Sequence, residues 1–167
     1  MIPIEDPSFQ KIVCFYLFEC PARFYHRDGK DENGKPIYSF SRVSHLGRTL
    51  SERGIEGGKV NSLRAAMLRV AGKHFSFAAD PNLTVPDAEE YIVIKRTEFK
   101  TEGIFYFIRN ALAHGEFVLS NGYYILENHK NTKLMGKAKV HQDTLLKWIE
   151  LVEMPIEKIK EAGKGNL

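Results

Sequence analysis

The segment Phe107–Gly115, FIRNALAHG, places an arginine, an asparagine and a histidine in the last two turns of an otherwise apolar, alanine-rich stretch. If the segment is helical, Asn110 and His114 are four residues apart, about 40° from each other around the axis, and so one turn apart on a shared face. Arg109 is rotated by about 140° from His114, but its long stem can carry the guanidinium round to the same edge. Each group has a plausible chemical task. A histidine at a helix C-terminus sits beside carbonyls that favour its cationic form and can serve as a proton donor. A guanidinium presents a fork that matches a phosphate, and a carboxamide can orient either one. Together they make a set for cleaving phosphodiesters without a metal. The nearest carboxylate is Glu116, so a divalent-cation nuclease finds little support in these turns. The alternative is structural: three polar side chains that satisfy helix-end carbonyls and the chain that follows.

The elements that must hold these residues can be read from periodicity and punctuation. The run from Thr97 to His114 is apolar around most of its circumference and ends at Gly115, where a left-handed C-terminal cap belongs. Alanines at 111 and 113 leave room for a second helix or a substrate to approach closely. After it, EFVLSNGYYILEN reads as a hairpin turning at Asn121–Gly122, and MGKAKVH alternates as a third strand would. Asp143 is placed to cap a closing helix through Leu145, Leu146, Trp148, Ile149 and Val152, interrupted at Pro155, and the tail from Glu161 is expected to fray.

Earlier in the chain, FQKIVCFYLFEC predicts a largely buried first helix with Ser8 as cap and Pro21 as stop, and SHLGRTLSERG predicts a short helix closed by Gly54. The stretch HRDGKDENGKP reads as an exposed loop. Val60, Leu63, Met67, Val70 and Ala71 recur at helical spacing, with Arg64, Arg69 and Lys73 on the polar side. The region SFAADPNLTVPDAEE is irregular, and YIVIK reads either as a short strand or as the start of a longer helix.

Bulk properties set the limits. The 167 residues, 43% of them hydrophobic, suit one domain spanning 1–167. The 24 basic and 21 acidic side chains leave a net charge of +3, so any basic surface must be local. Cys14 and Cys20 point to different faces of a helix and are read as reduced core residues. The acidic, proline-broken start lacks the pattern of a secretion signal, and no apolar run is long enough for a membrane span, which makes the cytoplasm the expected location. His26, His45, His74 and His129 show no metal-ligand spacing, so no metal site and no cofactor are expected.

The run RNALAHG resembles the motif of the HEPN superfamily, R-x4-6-H and often R-N-x3-H, near the end of a buried helix. The order of motif helix, hairpin and Trp-containing helix is similar to that of small stand-alone HEPN proteins from plasmids and prophages. The resemblance implies an all-α, HEPN-like helical bundle with a small β-hairpin after the motif helix. It also implies a homodimer whose composite site cleaves RNA by attack of a 2′-hydroxyl, in a toxin or anti-phage defence role with an antitoxin or other regulatory partner. Arg109 and His114 would be catalytic, with Asn110 positioning them. HEPN toxins silenced by nucleotidylation carry a tyrosine two residues after the histidine, where this chain has Glu116. The other class the family suggests is a non-catalytic RNA-binding or regulatory subunit. Glu116, Lys137 and Lys139 are the candidate substrate-binding residues, and Lys130 and Lys133 could extend an RNA-facing strip; alternating lysines also fit the wet face or protected edge of a small sheet.

Overall fold

The computed structural model describes residues 4–20, 25–30, 32–34, 36–40, 58–72, 74–95, 101–154 and 156–164. The short helix expected over 44–54 lies outside them.

Helix α1 (Pro7–Cys14) starts with Pro7 in its first turn and is capped by Asp6, whose carboxylate accepts from the Ser8 N–H at 2.9 Å. Asp6 therefore does the work expected of Ser8. α1 widens into a π-helical turn, Phe15–Glu19. Strands β1 (Tyr25–Lys30) and β2 (Pro36–Phe40) pair antiparallel, so the first half of the stretch expected as an exposed loop, His26–Lys30, is strand, while Glu32, Asn33 and Gly34 are exposed as expected. Helix α2 (Gly58–Ala71) carries the expected 3.6-residue pattern, with Leu63, Ala66 and Met67 buried.

The remainder overturns the all-α expectation. Strands β3 (Phe75–Ala79), β4 (Glu90–Ile94), β5 (Phe117–Ser120), β6 (Tyr123–Lys130) and β7 (Lys133–His141) form a five-stranded mixed sheet in the order β3-β4-β7-β6-β5. β3 and β4 run parallel, and the other neighbours are antiparallel. With helices α3 (Thr101–Ala113), α4 (Gln142–Glu153) and α5 (Ile156–Lys164), this is an α/β arrangement and not a helical bundle. The physical reason lies in β4. Ile92, Val93 and Ile94 are all buried, so the strand has no alternation to betray it, and a short continuous apolar run looks the same in a buried strand and a buried helix. The hairpin after α3 is thus not an insertion on a bundle but two of the five strands of a sheet.

One face of the sheet packs on the helices. Ile92, Ala138, Val140, Tyr124 and Leu126 meet Ile104, Phe105, Ile108 and Ala111 of α3 and Leu145, Trp148 and Ile149 of α4 in one apolar cluster. Two polar groups taken into this core find partners: the Trp148 indole N–H donates to the Met67 carbonyl at 2.9 Å, and the Tyr16 hydroxyl donates to the Leu145 carbonyl at 2.8 Å. Gly136 lets α3 sit close, because a Cβ there would lie 2.7 Å from the Phe107 ring. Cys20 is buried, but Cys14 is exposed and not in the core.

Two ends of the closing region differ from expectation. α4 is capped by His141, whose Nδ1 accepts from the Asp143 N–H at 3.1 Å, while Asp143 falls inside the first turn. The tail does not fray at Glu161, because Ile159 and Ala162 are buried and hold α5 helical as far as Lys164.

Candidate functional site

α3 ends as the glycine predicts. Gly115 has φ 68°, its N–H donates to Leu112 O at 3.2 Å, and the Glu116 N–H donates to Ala111 O at 2.8 Å. This is the paired bonding of a Schellman cap. It leaves His114 as the last residue in line with the helix, its N–H still bonded to Asn110 O at 3.0 Å. The chain then reverses into β5 and turns at Asn121–Gly122, both at positive φ (53° and 82°), as a two-residue hairpin turn of the primed kind requires.

The β5–β6 hairpin folds β6 back past the end of α3. Between Asn128 and His129 the register with β7 slips: Asn128 faces Gly136 and His129 faces Leu134, which leaves Met135 as an extra, bulged residue. A bulge bends a strand and re-aims its side chains. Here it falls beside a cleft of about 400 Å³ between the end of α3 and the end of the β6–β7 ladder. Asn110, His114, Asn128, His129 and Lys130 supply its polar lining, and Ile94, Tyr106, Phe107 and Met135 its apolar lining.

Of the three residues singled out on the helix, Asn110 and His114 therefore share one cavity. Arg109 does not line it. Its Nη1 donates to Asn110 Oδ1 at 3.3 Å, which fixes the carboxamide so that its N–H₂ is the group left to face other partners. The structure thus places Arg109 beside Asn110 and not among the residues that line the cleft.

Sequence reasoning set His129 aside, and it is the most informative residue of the site. Its Nδ1 lies 2.7 Å from Glu116 Oε2, and its Nε2 is 3.8 Å from Glu127 Oε2, beyond hydrogen-bond distance. A carboxylate can only accept, so the Glu116 bond puts a proton on Nδ1 and leaves Nε2 for other partners. The imidazole remains 33% exposed and Glu116 27%. Glu116, expected among the substrate-binding residues, meets this ring and is not among the residues lining the cleft.

Lys137 and Lys139 are not brought to this cleft. They lie on the face of β7 away from the helices, Lys137 opposite Glu127 and Lys139 opposite Tyr91 and Ile125. Lys139 Nζ stands 4.6 Å over the Tyr123 ring, a cation–π contact. The alternation does reflect a sheet face, but β7 is flanked by β4 and β6, so the idea of a protected edge fails. Lys130, by contrast, enters the cleft at the end of β6.

Among the described residues no three His, Cys, Asp or Glu side chains group so as to hold a metal ion, and no helix is long and apolar enough to cross a membrane. Comparison with family models, curated proteins and solved structures finds no match to this chain.

Proposed function

We propose that this protein is an endoribonuclease that needs no metal and works at the cleft between the end of α3 and the β6–β7 ladder. The observation that carries the reading is the pairing of two imidazoles in one cavity, His114 at a helix C-terminus and His129 held at Nδ1 by Glu116, with the Lys130 ammonium beside them. The likeness of Arg109–His114 to the HEPN motif supports the same chemistry, although the sheet is not the bundle that likeness implied.

The reaction divides naturally between the two rings. His129, with its Nδ1–H donated to a carboxylate, is suited to take the 2′-hydroxyl proton at Nε2, because Glu116 stabilises the imidazolium that forms. The freed 2′-oxygen attacks the adjacent phosphorus, the P–O5′ bond breaks, and His114, in the field of the helix C-terminus, gives its proton to the departing O5′. Lys130 and the Asn110 N–H₂ face the charge that grows on the phosphoryl oxygens. The products are a 2′,3′-cyclic phosphate and a 5′-hydroxyl. The second imidazole comes from the same chain, so the site does not depend on the dimer that a lone histidine would require.

Purified protein is expected to cut RNA in EDTA, to leave 2′-O-methyl RNA intact, and to lose about 10²–10⁴ of its rate in His114→Ala. Cleavage that persists unchanged in His114→Ala, or that stops in EDTA, rejects the assignment. A second reading, RNA binding without cleavage, is favoured by the engagement of Arg109 with Asn110 outside the cleft. It predicts retention of RNA with no cyclic phosphate formed.

A further inference from the structure

Next to the cleft lies a second concavity, of about 560 Å³, at the tip of the β6–β7 hairpin, lined by Lys95, Lys130, Asn131, Thr132, Lys133 and Met135. Lys130 and Met135 line both spaces, so the two adjoin through a shared wall. We propose that this second concavity binds the neighbouring phosphate of the strand whose scissile phosphate lies between His114 and His129, making the substrate a single-stranded RNA gripped at two consecutive phosphates. The proposal rests on the ribonuclease reading for the identity of the strand, but the site itself is argued from its own charges.

Three lysines line it, and among the described residues that do so there is no carboxylate. Two of them stand directly across the ladder, since Lys130 is the register partner of Lys133 at the last pair before the turn. Like charges in directly opposed strand positions destabilise a hairpin, and the repulsion is relieved when an anion lies between them. Lys95 is carried to the same spot by the backbone, because its N–H donates at 2.9 Å to the carbonyl of Met135, the bulged residue. The Asn131 amide and Thr132 hydroxyl add neutral donors of the kind that contact phosphate oxygens. Toward the cleft, Met135 stands beside Lys130 in the shared wall, with Ile94, Phe107 and Tyr106 beyond it, an apolar surface on which an unpaired base can rest. A double helix would hold its bases away from such a surface, which is the reason for the single strand.

The test uses the full chain and the double variant Lys95→Gln/Lys133→Gln, whose two positions are exposed and outside the cleft lining. Binding of a fluorescein-labelled 2′-O-methyl hexauridylate is followed by anisotropy across a salt series, and cleavage is measured on hexauridylate and on uridylyl-3′,5′-adenosine, which has a single phosphate. With two cation–phosphate contacts removed, affinity is expected to fall on the order of tenfold near 0.1 M salt, and the slope of log K against log salt to shrink by about 1.4. KM for hexauridylate should rise with kcat kept, while turnover of the dinucleotide stays as in the wild type. Unchanged affinity and salt slope in the variant overturn the second phosphate site even if cleavage continues, as does failure of the wild-type protein to bind the hexamer. Loss of binding in the variant with no cleavage by either protein supports the phosphate site while removing the nuclease reading.

Discussion

The β6–β7 ladder carries a histidine–carboxylate pair at each end, and the two ends use the same residue types to opposite effect. At the α4 end, His141 is consumed by structure. Its backbone N–H donates to Glu90 Oε1 at 2.7 Å, its Nδ1 caps α4 by accepting from the Asp143 N–H, and its ring stands edge-on to Tyr123 at 4.9 Å. Glu90 is buried there and also accepts from the Thr144 hydroxyl at 2.7 Å, so one carboxylate ties β4 to the junction of β7 and α4. At the α3 end, His129 makes a single short bond, through Nδ1 to Glu116, and its other nitrogen belongs to a ring lining a cleft. A histidine bonded from both ring and backbone closes a joint. One held by a carboxylate at Nδ1, with its second nitrogen beyond bonding distance of Glu127, keeps a proton site available.

The sharpest way to break this contrast is to remove each ring in turn. His129→Ala is expected to cut RNA cleavage by about 10²–10⁴ and to leave thermal stability almost unchanged, because the lost ring is partly exposed and its partner Glu116 can return to water. Glu116→Gln should give a smaller loss of rate with the fold intact, since the amide retains an acceptor but not the charge that stabilises an imidazolium. Equal cleavage by wild type and His129→Ala would place the chemistry elsewhere.

At the other end the effects should appear in stability and not in rate. Glu90→Ala deprives the His141 N–H and the Thr144 hydroxyl of their acceptor and opens a small void, a cost of about 2–4 kcal/mol. For a chain of this size that corresponds to a fall of about 10 °C in Tm, measured by circular dichroism. Glu90→Gln, which keeps an acceptor, should recover part of it. His141→Ala removes the cap of α4 and is expected to cost about 1 kcal/mol with RNA cleavage unchanged. A cleavage defect in His141→Ala that exceeds its stability defect would erase the distinction between the two ends.

Much of the frame around the site could be read from local signals. The Gly115 cap, the Asn121–Gly122 turn, the apolar stripe of α2 and the Trp148 helix are each written in residues within one or two turns of one another. The parallel β3–β4 pair could not be read that way. FSFAA and EYIVI find each other across a ten-residue connection with no helix in it, and nothing local announces a parallel partner. His129 was missed for a related reason. It was judged by its spacing to other metal-ligating residues, whereas its partner is a carboxylate 13 residues away, brought near by hairpin pairing. A signal was there: His129 lies seven residues beyond Gly122 and His114 seven before Asn121, so folding the chain about that turn brings both histidines to the same end of the hairpin. The bulge at Met135, which shapes this end of the ladder, depends on how β7 pairs with β6 and has no local mark in the sequence.

Tyr124 lies between the two ends, paired with Leu119 and Val140, and gives the smallest expected effect and a control for both. Its ring fills the core, yet its buried hydroxyl has no hydrogen-bond partner among the described residues. Burial, with a lesser contribution from the Asp6 charge, pushes the phenol up to about 12. The folded state therefore holds this proton more tightly than the unfolded chain, whose phenol titrates near 10. The stabilisation this brings is fully present below pH 10 and is lost as pH rises toward 12. Tyr124→Phe removes both the unpartnered oxygen and the titration. It should leave RNA cleavage and neutral-pH stability within about 1 kcal/mol of wild type, with any change toward greater stability, and it should flatten the decline in Tm between pH 10 and 12. A drop of several degrees at neutral pH would mean that the hydroxyl is bonded after all, and that the middle of the ladder, like its α4 end, is held by polar contacts.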